Sequence, residues 1–461
     1  MSSNDFDLAV IGSGSAGTAA ALDAAAAGLA VVQFEAHEIG GTCVNRGSAA
    51  KKLLVAASRR GESIRTAAPF GWRVEAPTLD WPALRDAVRE RLDVLSRRRA
   101  ERLERAGVTL VREQVRLAGN GKIVAFEGHG EWSATDIVLA TGSRPLVPDL
   151  PGAELAILSD DLFVPETLPG RLALVGGGYI AVELANLLQR LGVEVSVFES
   201  SEHLLDGFDP EVVARAEAAM RDAGIEVVTG CRVEGIEADG AGLRRLRIDG
   251  AEDRAGFDAV ALVMGRSPNV ERMGLEEAGV RIGDDGLVEV DERGRTSAER
   301  VHAVGDIAAS PALAPVAIES GRAAVASILG HGFERTPGDH VPTGVWSTPE
   351  CGAVGLTEAA AIEAGVDHEV RRTRFVPLDD ELDDGAPESF VKLVVEPRGG
   401  RLLGFHAFDA HATELAQLAA MAVSAGLTER ELERTMALHP TRGERIVGLG
   451  GPGSAVADDS D

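Results

Sequence analysis

Two glycine-rich turns, each placed between a short apolar strand and a helix, constrain the fold of this chain more than any other feature. The first turn, Gly12-Ser13-Gly14-Ser15-Ala16-Gly17, follows the apolar run 6–11 and opens an alanine-rich helix that we expect to end near Gly28. The second, residues 176–181, follows the run 172–175 and opens a helix to about Leu191. Further strands are expected at 30–34 and 194–198. The sequence therefore predicts an α/β fold in which one βαβ unit occurs twice.

The glycines in these turns have a physical task. Gly12 and Gly176 allow the tight turn, while Gly14 and Gly178 let the backbone approach a pyrophosphate. The following helix supplies N–H groups and the positive end of its dipole to hold that group. Gly17 completes the first G-x-G-x-x-G motif. Each unit is predicted to bind one dinucleotide.

An acidic residue closes each unit at the same distance from the turn. Glu35 lies 21 positions after Gly14, and Glu199 lies 21 positions after Gly178. An acid about 20 residues beyond the turn accepts hydrogen bonds from ribose hydroxyls. Two copies in matching strand and helix context make this a stronger indication than a single glycine motif.

Charge and length limit the possible function classes. At 461 residues the chain is long enough for two to four domains. Its net charge of -27 would repel nucleic acid and anionic membranes, so neither is an expected partner. Only Lys51, Lys52, Lys122 and Lys392 are lysines, and this acidic, lysine-poor composition predicts a halophilic source.

Cysteine usage predicts a cytoplasmic protein. Cys43, Cys231 and Cys351 are too few and too scattered for a disulfide scaffold or a zinc site, so we expect no bound metal. The N-terminus lacks the basic region of a signal peptide, and no apolar run reaches the length of a membrane span.

Other periodic segments complete the secondary-structure prediction. Residues 79–106 form a long charged helix in which 97–99, all arginine, are expected on a solvated face. A strand is predicted at 390–395, with helices at 412–426 and 428–436.

Several motifs together resemble the class I pyridine nucleotide-disulfide oxidoreductases, the family of glutathione reductase, dihydrolipoamide dehydrogenase and mercuric reductase, over essentially the whole chain. They are Gly40-Gly41-Thr42-Cys43, Ala140-Thr141-Gly142-Ser143, Gly265-Arg266-Ser267-Pro268-Asn269, Ala303-Val304-Gly305-Asp306, and His439-Pro440-Thr441 with Glu444. The resemblance implies that the first unit holds FAD and the second a nicotinamide cofactor. Gly41, Thr42, Thr141, Gly142 and Gly265 then belong to the cofactor sites.

The resemblance also implies a domain plan and a homodimer. Residues 1–148 and a returning segment, 265–336, would form the FAD domain, around a nicotinamide domain at 149–264. An α/β dimerisation domain is expected at 337–450, followed by an acidic tail at 451–461.

Individual roles follow from the same resemblance. Asp306 matches the acid that accepts from the ribityl chain of the flavin. Lys52 matches a lysine near the flavin N5 that pairs with a glutamate, here Glu183. Tyr179 matches a residue that covers the flavin until nicotinamide displaces it.

The C-terminal motif supplies the implied acid–base pair. His439 and Glu444 resemble a pair delivered from the neighbouring subunit to the substrate sulfur. The glutamate orients the imidazole and raises its basicity.

The redox motif departs from the family pattern. Members carry a second cysteine five positions after the first, and here that position is Ser48, which cannot form a disulfide with Cys43. Arg46 stands where an apolar residue is usual, and 49–50 is Ala-Ala instead of an apolar-proline pair. By sequence, Cys231 and Cys351 are poor replacements.

Three functions stay open at this point. Cys43 alone could carry thiol chemistry through a mixed disulfide or a sulfenic acid, with Arg46 lowering its pKa. Alternatively, the flavin could reduce oxygen, a quinone or a metal ion directly. The third possibility is a nucleotide-binding sensor or interaction protein with little turnover.

The second unit favours NADH over NADPH. The Glu199 carboxylate repels a 2′-phosphate, and residues 200–203 contain no arginine to receive one. Ala181 in place of the third glycine argues in the opposite direction.

Overall fold

The computed structural model describes residues 4–126, 130–308, 311–333, 338–382, 385 and 387–447. The strands in these residues are β1 (Asp5–Ile11), β2 (Val31–Phe34), β3 (Thr109–Val111), β4 (Val115–Leu117), β5 (Lys122–Ala125), β6 (Glu131–Leu139), β7 (Ser143–Pro145), β8 (Ile157–Leu158), β9 (Arg171–Val175), β10 (Glu194–Phe198), β11 (Glu226–Val228), β12 (Val233–Ala238), β13 (Arg244–Ile248), β14 (Arg254–Phe257), β15 (Ala259–Leu262), β16 (Arg266–Pro268), β17 (Val301–Ala303), β18 (Thr343–Val345), β19 (Glu350–Gly355), β20 (Glu369–Phe375), β21 (Ser389–Val395) and β22 (Leu402–Asp409).

The helices are α1 (Ser15–Ala26), α2 (Gly41–Asn45), α3 (Ser48–Arg65), α4 (Trp81–Arg105), α5 (Tyr179–Arg190), α6 (Pro210–Asp222), α7 (Ala314–Ile328), α8 (Glu358–Glu363), α9 (Ala412–Ser424), α10 (Glu429–Glu433) and α11 (Glu444–Val447). Strands and helices alternate through both predicted βαβ units. This confirms the α/β fold class.

The two predicted units build two separate parallel sheets. In the first sheet, β1 pairs in parallel with β2 and β6, and in the second, β9 pairs in parallel with β10 and β15. Parallel pairing of this kind needs a crossover helix, which α1 and α5 supply. Both glycine turns therefore lie at the carboxyl end of a central strand, where α/β sheets bind ligands.

The first sheet is assembled from two parts of the chain. β17 pairs with β6 in parallel, so the chain returns to this sheet after it has built the second one. Next to the crossing point, β7 and β16 form a small antiparallel ribbon. This topology agrees with a split first domain, while the bounds 148/149 and 264/265 stay predictions. The bound 336/337 and the tail 451–461 lie outside the described residues.

The C-terminal part is an antiparallel sheet in the order β18-β19-β22-β21-β20. Every residue of β21 is buried, with α9 among the elements packed around this sheet. The helix predicted at 428–436 is shorter, because α10 ends at Glu433. Met436 and Leu438 beyond it are 95% and 74% exposed, so the described residues offer no apolar surface against which a further turn could pack.

The alanine-rich sequence of α1 serves close packing. Its alanines at 16, 20, 21 and 24 are buried between the first sheet and α7. A Cβ atom on Gly321 of α7 would meet the Ala16 carbonyl oxygen at 2.4 Å, so the two helices lie nearly in backbone contact. Among the described residues, no helix is both long and apolar enough to cross a membrane.

Candidate active site

Both glycine turns leave space in front of a helix N-terminus. Gly12 and Gly176 have φ angles of +105° and +118°, a backbone region that favours glycine. A Cβ atom added to Gly14 or Gly178 would meet no protein atom within 4 Å. The first positions of α1 and α5 are therefore open to a ligand, as the prediction of two dinucleotide sites requires.

The two acids are fixed beside these turns by equivalent hydrogen bonds. Glu35 Oε2 accepts from the Ser13 backbone N–H at 2.9 Å and from Ser13 Oγ at 2.6 Å. Glu199 Oε2 accepts from the Gly177 N–H at 2.5 Å, and its Oε1 accepts from the Ser201 N–H at 2.7 Å. The predicted ribose acceptors are thus oriented before any ligand arrives.

Two adjoining cavities open in front of α1. One, of about 680 Å³, is lined by the predicted cofactor residues Gly12, Gly14, Glu35, Gly41, Thr42, Thr141 and Gly142. The other, of about 160 Å³, is lined by Cys43, Ser48, Lys51, Tyr179, Glu183 and Asp306. They share seven lining residues, among them Gly14, Thr42, Arg46 and Gly142. The two cavities together form an elongated space that is compatible with the predicted dinucleotide site.

The lysine that pairs with Glu183 is Lys51, so the predicted pairing of Lys52 with Glu183 is wrong. Lys51 Nζ lies 2.7 Å from Glu183 Oε1, and the two side chains are only 11% and 5% exposed. α3 begins at Ser48, and successive residues on a helix point about 100° apart. This turns Lys51 towards α5 and leaves Lys52 exposed.

Trp346 completes the surroundings of this ion pair, and sequence reasoning missed it. The Lys51 ammonium lies 4.0 Å from the centroid of the Trp346 ring, and the Trp346 backbone N–H donates to Glu183 Oε1 at 3.1 Å. Burial raises the pKa of Glu183, and the Lys51 ammonium opposes that rise. The pair places a cation beside the cavity that also holds Cys43.

Tyr179 and Asp306 line the same cavity as Cys43, and their roles beside the flavin stay predictions. Tyr179 is the first residue of α5 and lines the same cavity as Cys43, and burial, followed by the nearby Glu183, raises the pKa of its phenol. Asp306 Oδ2 accepts from Ser143 Oγ at 2.7 Å, and that hydroxyl in turn accepts from Arg266 Nε at 2.8 Å. Arg266 also reaches Asp160 at 3.1 Å, which adds an acid that no sequence motif indicated.

The redox motif is split between two helices. Cys43 is half-buried within α2, while Ser48 is exposed as the first residue of α3. Arg46, between them, forms an ion pair with Glu38 at 2.8 Å. The effect of Arg46 on the Cys43 pKa stays a prediction.

A second arginine lies close to this motif. Arg97 and Arg98 are exposed on α4 as predicted, but Arg99 turns inward and donates to the Gly40 carbonyl oxygen at 3.2 Å. Burial lowers the pKa of Arg99, and a negative charge on the nearby Cys43 sulfur would oppose that shift. The expectation that all three arginines face solvent was therefore wrong for Arg99.

The other two cysteines are buried elsewhere. Cys351 is 0% exposed in β19, and burial raises the pKa of its thiol to about 12. Cys231 is 8% exposed, and burial raises its pKa as well. Neither lines the cavity around Cys43, and all three thiols are free in the described residues.

Comparison with known proteins agrees with this architecture. The sequence profile described as pyridine nucleotide-disulphide oxidoreductase matches residues 6–321. The chain belongs to this family. The profile of the family's dimerisation domain matches residues 341–449. The chain is thus a flavin-dependent oxidoreductase whose family implies FAD and a pyridine nucleotide, and the dimerisation domain supports a homodimer.

Curated relatives cover nearly the whole chain. A glutathione reductase of Burkholderia cepacia is 36% identical over 452 residues, which are 97% of this chain and 99% of the relative. A glutathione reductase of Nostoc is 34% identical over 456 residues, covering 96% and 99%. The chloroplastic/mitochondrial glutathione reductase of Pisum sativum is 36% identical over 466 residues, covering 97% and 83%.

The predicted acid–base pair forms within the dimerisation domain. His439 Nδ1 lies 3.1 Å from Glu444 Oε2, and the histidine side chain is 80% exposed. Arg442 anchors the loop between them by ion pairs with Asp409 at 2.8 Å and Asp380 at 2.6 Å. His439 does not line the cavity of its own chain in the described residues. This arrangement is compatible with delivery to a second subunit.

Proposed function

We propose that this oxidoreductase passes electrons from NADH through FAD to a disulfide or related thiol-type acceptor, with Cys43 as its redox thiol. The observation that carries the proposal is that Cys43 shares one cavity with the Lys51–Glu183 pair and Tyr179, while the family's second cysteine is replaced by Ser48. Relatives named glutathione reductase support an acceptor of this class.

The residues present suit FAD. Glu35 and Asp306 would accept hydrogen bonds from its hydroxyl groups, and the N–H groups before Gly17 would face its pyrophosphate. When bound, the flavin takes up hydride from the nicotinamide and supplies two electrons for the reduction of the acceptor. Tyr179 would move aside for the nicotinamide, and Lys51 would favour negative charge on the reduced ring.

Cys43 would act as a nucleophile towards a disulfide. Its thiolate forms a new sulfur–sulfur bond with one sulfur of the substrate and expels the other as a thiolate. The imidazole of His439 from a second subunit protonates that leaving group, with Glu444 holding the imidazole. Two electrons from the reduced flavin and one proton would then break the Cys43–substrate disulfide, which releases the second substrate thiol and regenerates the Cys43 thiolate.

We also propose that NADH is preferred to NADPH. The Glu199 carboxylate is held beside the second glycine turn by the N–H groups of Gly177 and Ser201, and residues 200–205 contain neither lysine nor arginine. A 2′-phosphate would meet a fixed negative charge there. We expect kcat/KM for NADH to exceed that for NADPH by about tenfold or more, and Glu199→Ser to narrow the ratio. An unchanged ratio would contradict this role of Glu199.

Direct reduction of a quinone, oxygen or a metal ion by the flavin is the second candidate. Ser48 favours it, because the exposed hydroxyl at this position cannot relay electrons to Cys43. Under this alternative the Cys43 thiol has no part in turnover.

One substitution separates the two candidates. Cys43→Ala should lower NADH-dependent reduction of glutathione disulfide by about 100-fold or more, because the nucleophile is lost. Reduction of benzoquinone by the same variant should stay within about twofold of wild type. Cys231→Ala is the matched control and should change neither rate. Disulfide reduction that survives in Cys43→Ala, or a wild type that reduces only the quinone, would favour direct transfer.

A further inference from the structure

Arg46 lies where the two cavities of the FAD site meet. It lines the smaller cavity with Cys43 and the larger one with Glu35. Among the described residues it is the only basic side chain that lines both. Arg266 lines only the flavin side, and Arg144 only the adenosine side. In FAD, the pyrophosphate is the group that joins these two halves.

Arg46 is the residue directly after α2 and lies at the wall that the two cavities share. Thr42 and Arg46 are four residues apart in sequence, and the Arg46 backbone N–H donates to the Thr42 carbonyl oxygen at 2.9 Å. Thr42 also lines both cavities, as does Gly14 at the N-terminus of α1. Arg46 therefore faces the same space as the open glycine turn.

The charges around the larger cavity indicate why a cation is needed at Arg46. A pyrophosphate carries negative charge, yet Glu35, Glu38, Asp160 and Glu271 all line the larger cavity, in a protein whose net charge is -27. Arg144 is already paired with Glu271, and Arg266 with Asp160. The partner of Arg46 is Glu38, whose side chain is 58% exposed and can return to water at little cost.

We propose that Arg46 binds the pyrophosphate of FAD and exchanges its ion pair with Glu38 for the phosphate oxygens. A guanidinium can donate two parallel hydrogen bonds to a phosphate, which a valine or alanine cannot replace. The proposal rests on FAD as the cofactor and is independent of the electron acceptor.

The test is the retention of FAD by the holoenzyme. Serial dilution with detection of released FAD by its fluorescence gives the dissociation constant. Arg46→Val should weaken FAD binding by about tenfold or more, and Arg46→Lys by less, since the charge remains without the planar fork. Glu38→Gln should leave FAD bound as tightly as in wild type or more tightly, because it removes the competing carboxylate.

Arg60→Val is the matched control. Arg60 is exposed on α3, so the substitution changes the net charge equally without touching the cavities. Equal FAD affinity in Arg46→Val and wild type, or an equal loss in Arg46→Val and Arg60→Val, would overturn the proposal. A wild type that holds no flavin would instead contradict the cofactor on which it rests. Failure of the disulfide assay alone would contradict the proposed electron acceptor and not the proposed role of Arg46.

Discussion

Ser48, the first residue of α3, carries a hydroxyl where the family carries its second redox thiol. We predict that Ser48→Cys gives a protein in which NADH reduction exposes two additional titratable thiols, as the introduced thiol and Cys43 form and break a disulfide. Thiol titration before and after anaerobic reduction measures this, together with the absorbance band of a thiolate beside the flavin.

Ser63→Cys is the control for that substitution, since Ser63 is exposed on the same helix. Its added thiol should titrate equally in both redox states. A wild type that already shows the long-wavelength band would contradict our interpretation of Ser48.

Lys51 and Lys52 are neighbours in sequence, but their substitution should have sharply different effects on the free energy of unfolding. Lys51→Met leaves the Glu183 carboxylate buried without its cation, and we expect the free energy of unfolding to fall by about 3 kcal/mol. Lys52→Met removes an exposed side chain whose ammonium lies 5.1 Å from the Trp346 ring centroid, and it should change the free energy of unfolding by less than about 1 kcal/mol. Urea unfolding of the two variants measures the difference, and equal losses would contradict the assignment of Lys51.

At the scale of elements, β17 carries a buried histidine that should make the stability of the protein depend on pH. His302 is 5% exposed, and neither ring nitrogen has a hydrogen-bond partner in the described residues. Burial, followed by the charge of Arg295, lowers its pKa from 6.5 to about 4.

The pH dependence follows from this shift. Between pH 6.5 and about 4 the unfolded chain binds a proton at His302 that the folded protein does not, so stability falls as the pH falls. The loss should be on the order of 3 kcal/mol across this interval. His302→Leu should flatten the pH profile of the unfolding midpoint there, whereas His331→Leu, at an exposed position, should not. A profile unchanged in His302→Leu would show that other groups cause the dependence.

The bounds of the helices could be predicted from the sequence more fully than the directions of their side chains. The long helix predicted at 79–106 is α4, and its start follows from local chemistry, because the Asp80 side chain caps the Ala83 N–H. The direction of Arg99 could not be predicted, since it depends on Gly40, which is distant in sequence. Likewise, choosing Lys51 over Lys52 requires the first residue of α3 and the position of α5.

At the scale of the whole molecule, Lys392 links the second unit to the dimerisation domain. Its side chain is 2% exposed, and the ammonium lies 2.7 Å from Asp209, 2.8 Å from Glu211 and 2.7 Å from Glu358. Lys392→Met would leave the fully buried Asp209 carboxylate without its cation, and we expect a loss of about 3–5 kcal/mol in stability. Lys122→Met, which breaks an exposed pair with Glu131, should cost less than about 1 kcal/mol. Thermal unfolding of both variants tests this, and similar midpoints would contradict it.

The net charge of -27 predicts a dependence on salt for the whole molecule. Raising the ionic strength from about 0.1 to 1 M shortens the screening length from about 10 to 3 Å and weakens repulsion between distant carboxylates. We expect the unfolding temperature to rise over this range. A constant or falling midpoint would argue against the halophilic source, which stays a prediction.

Local patterns along the chain were sufficient to predict the two dinucleotide-binding units, their acids and the family, because these depend on glycine conformations and short spacings. The loss of the second cysteine was equally visible there. Three-dimensional packing was needed to show that Lys51 pairs with Glu183, that Lys392 joins two parts of the molecule and that Arg46 lines both cavities. Each of these depends on side chains from distant segments meeting in space, and their direction is set by packing between helices and not by any pattern within one segment.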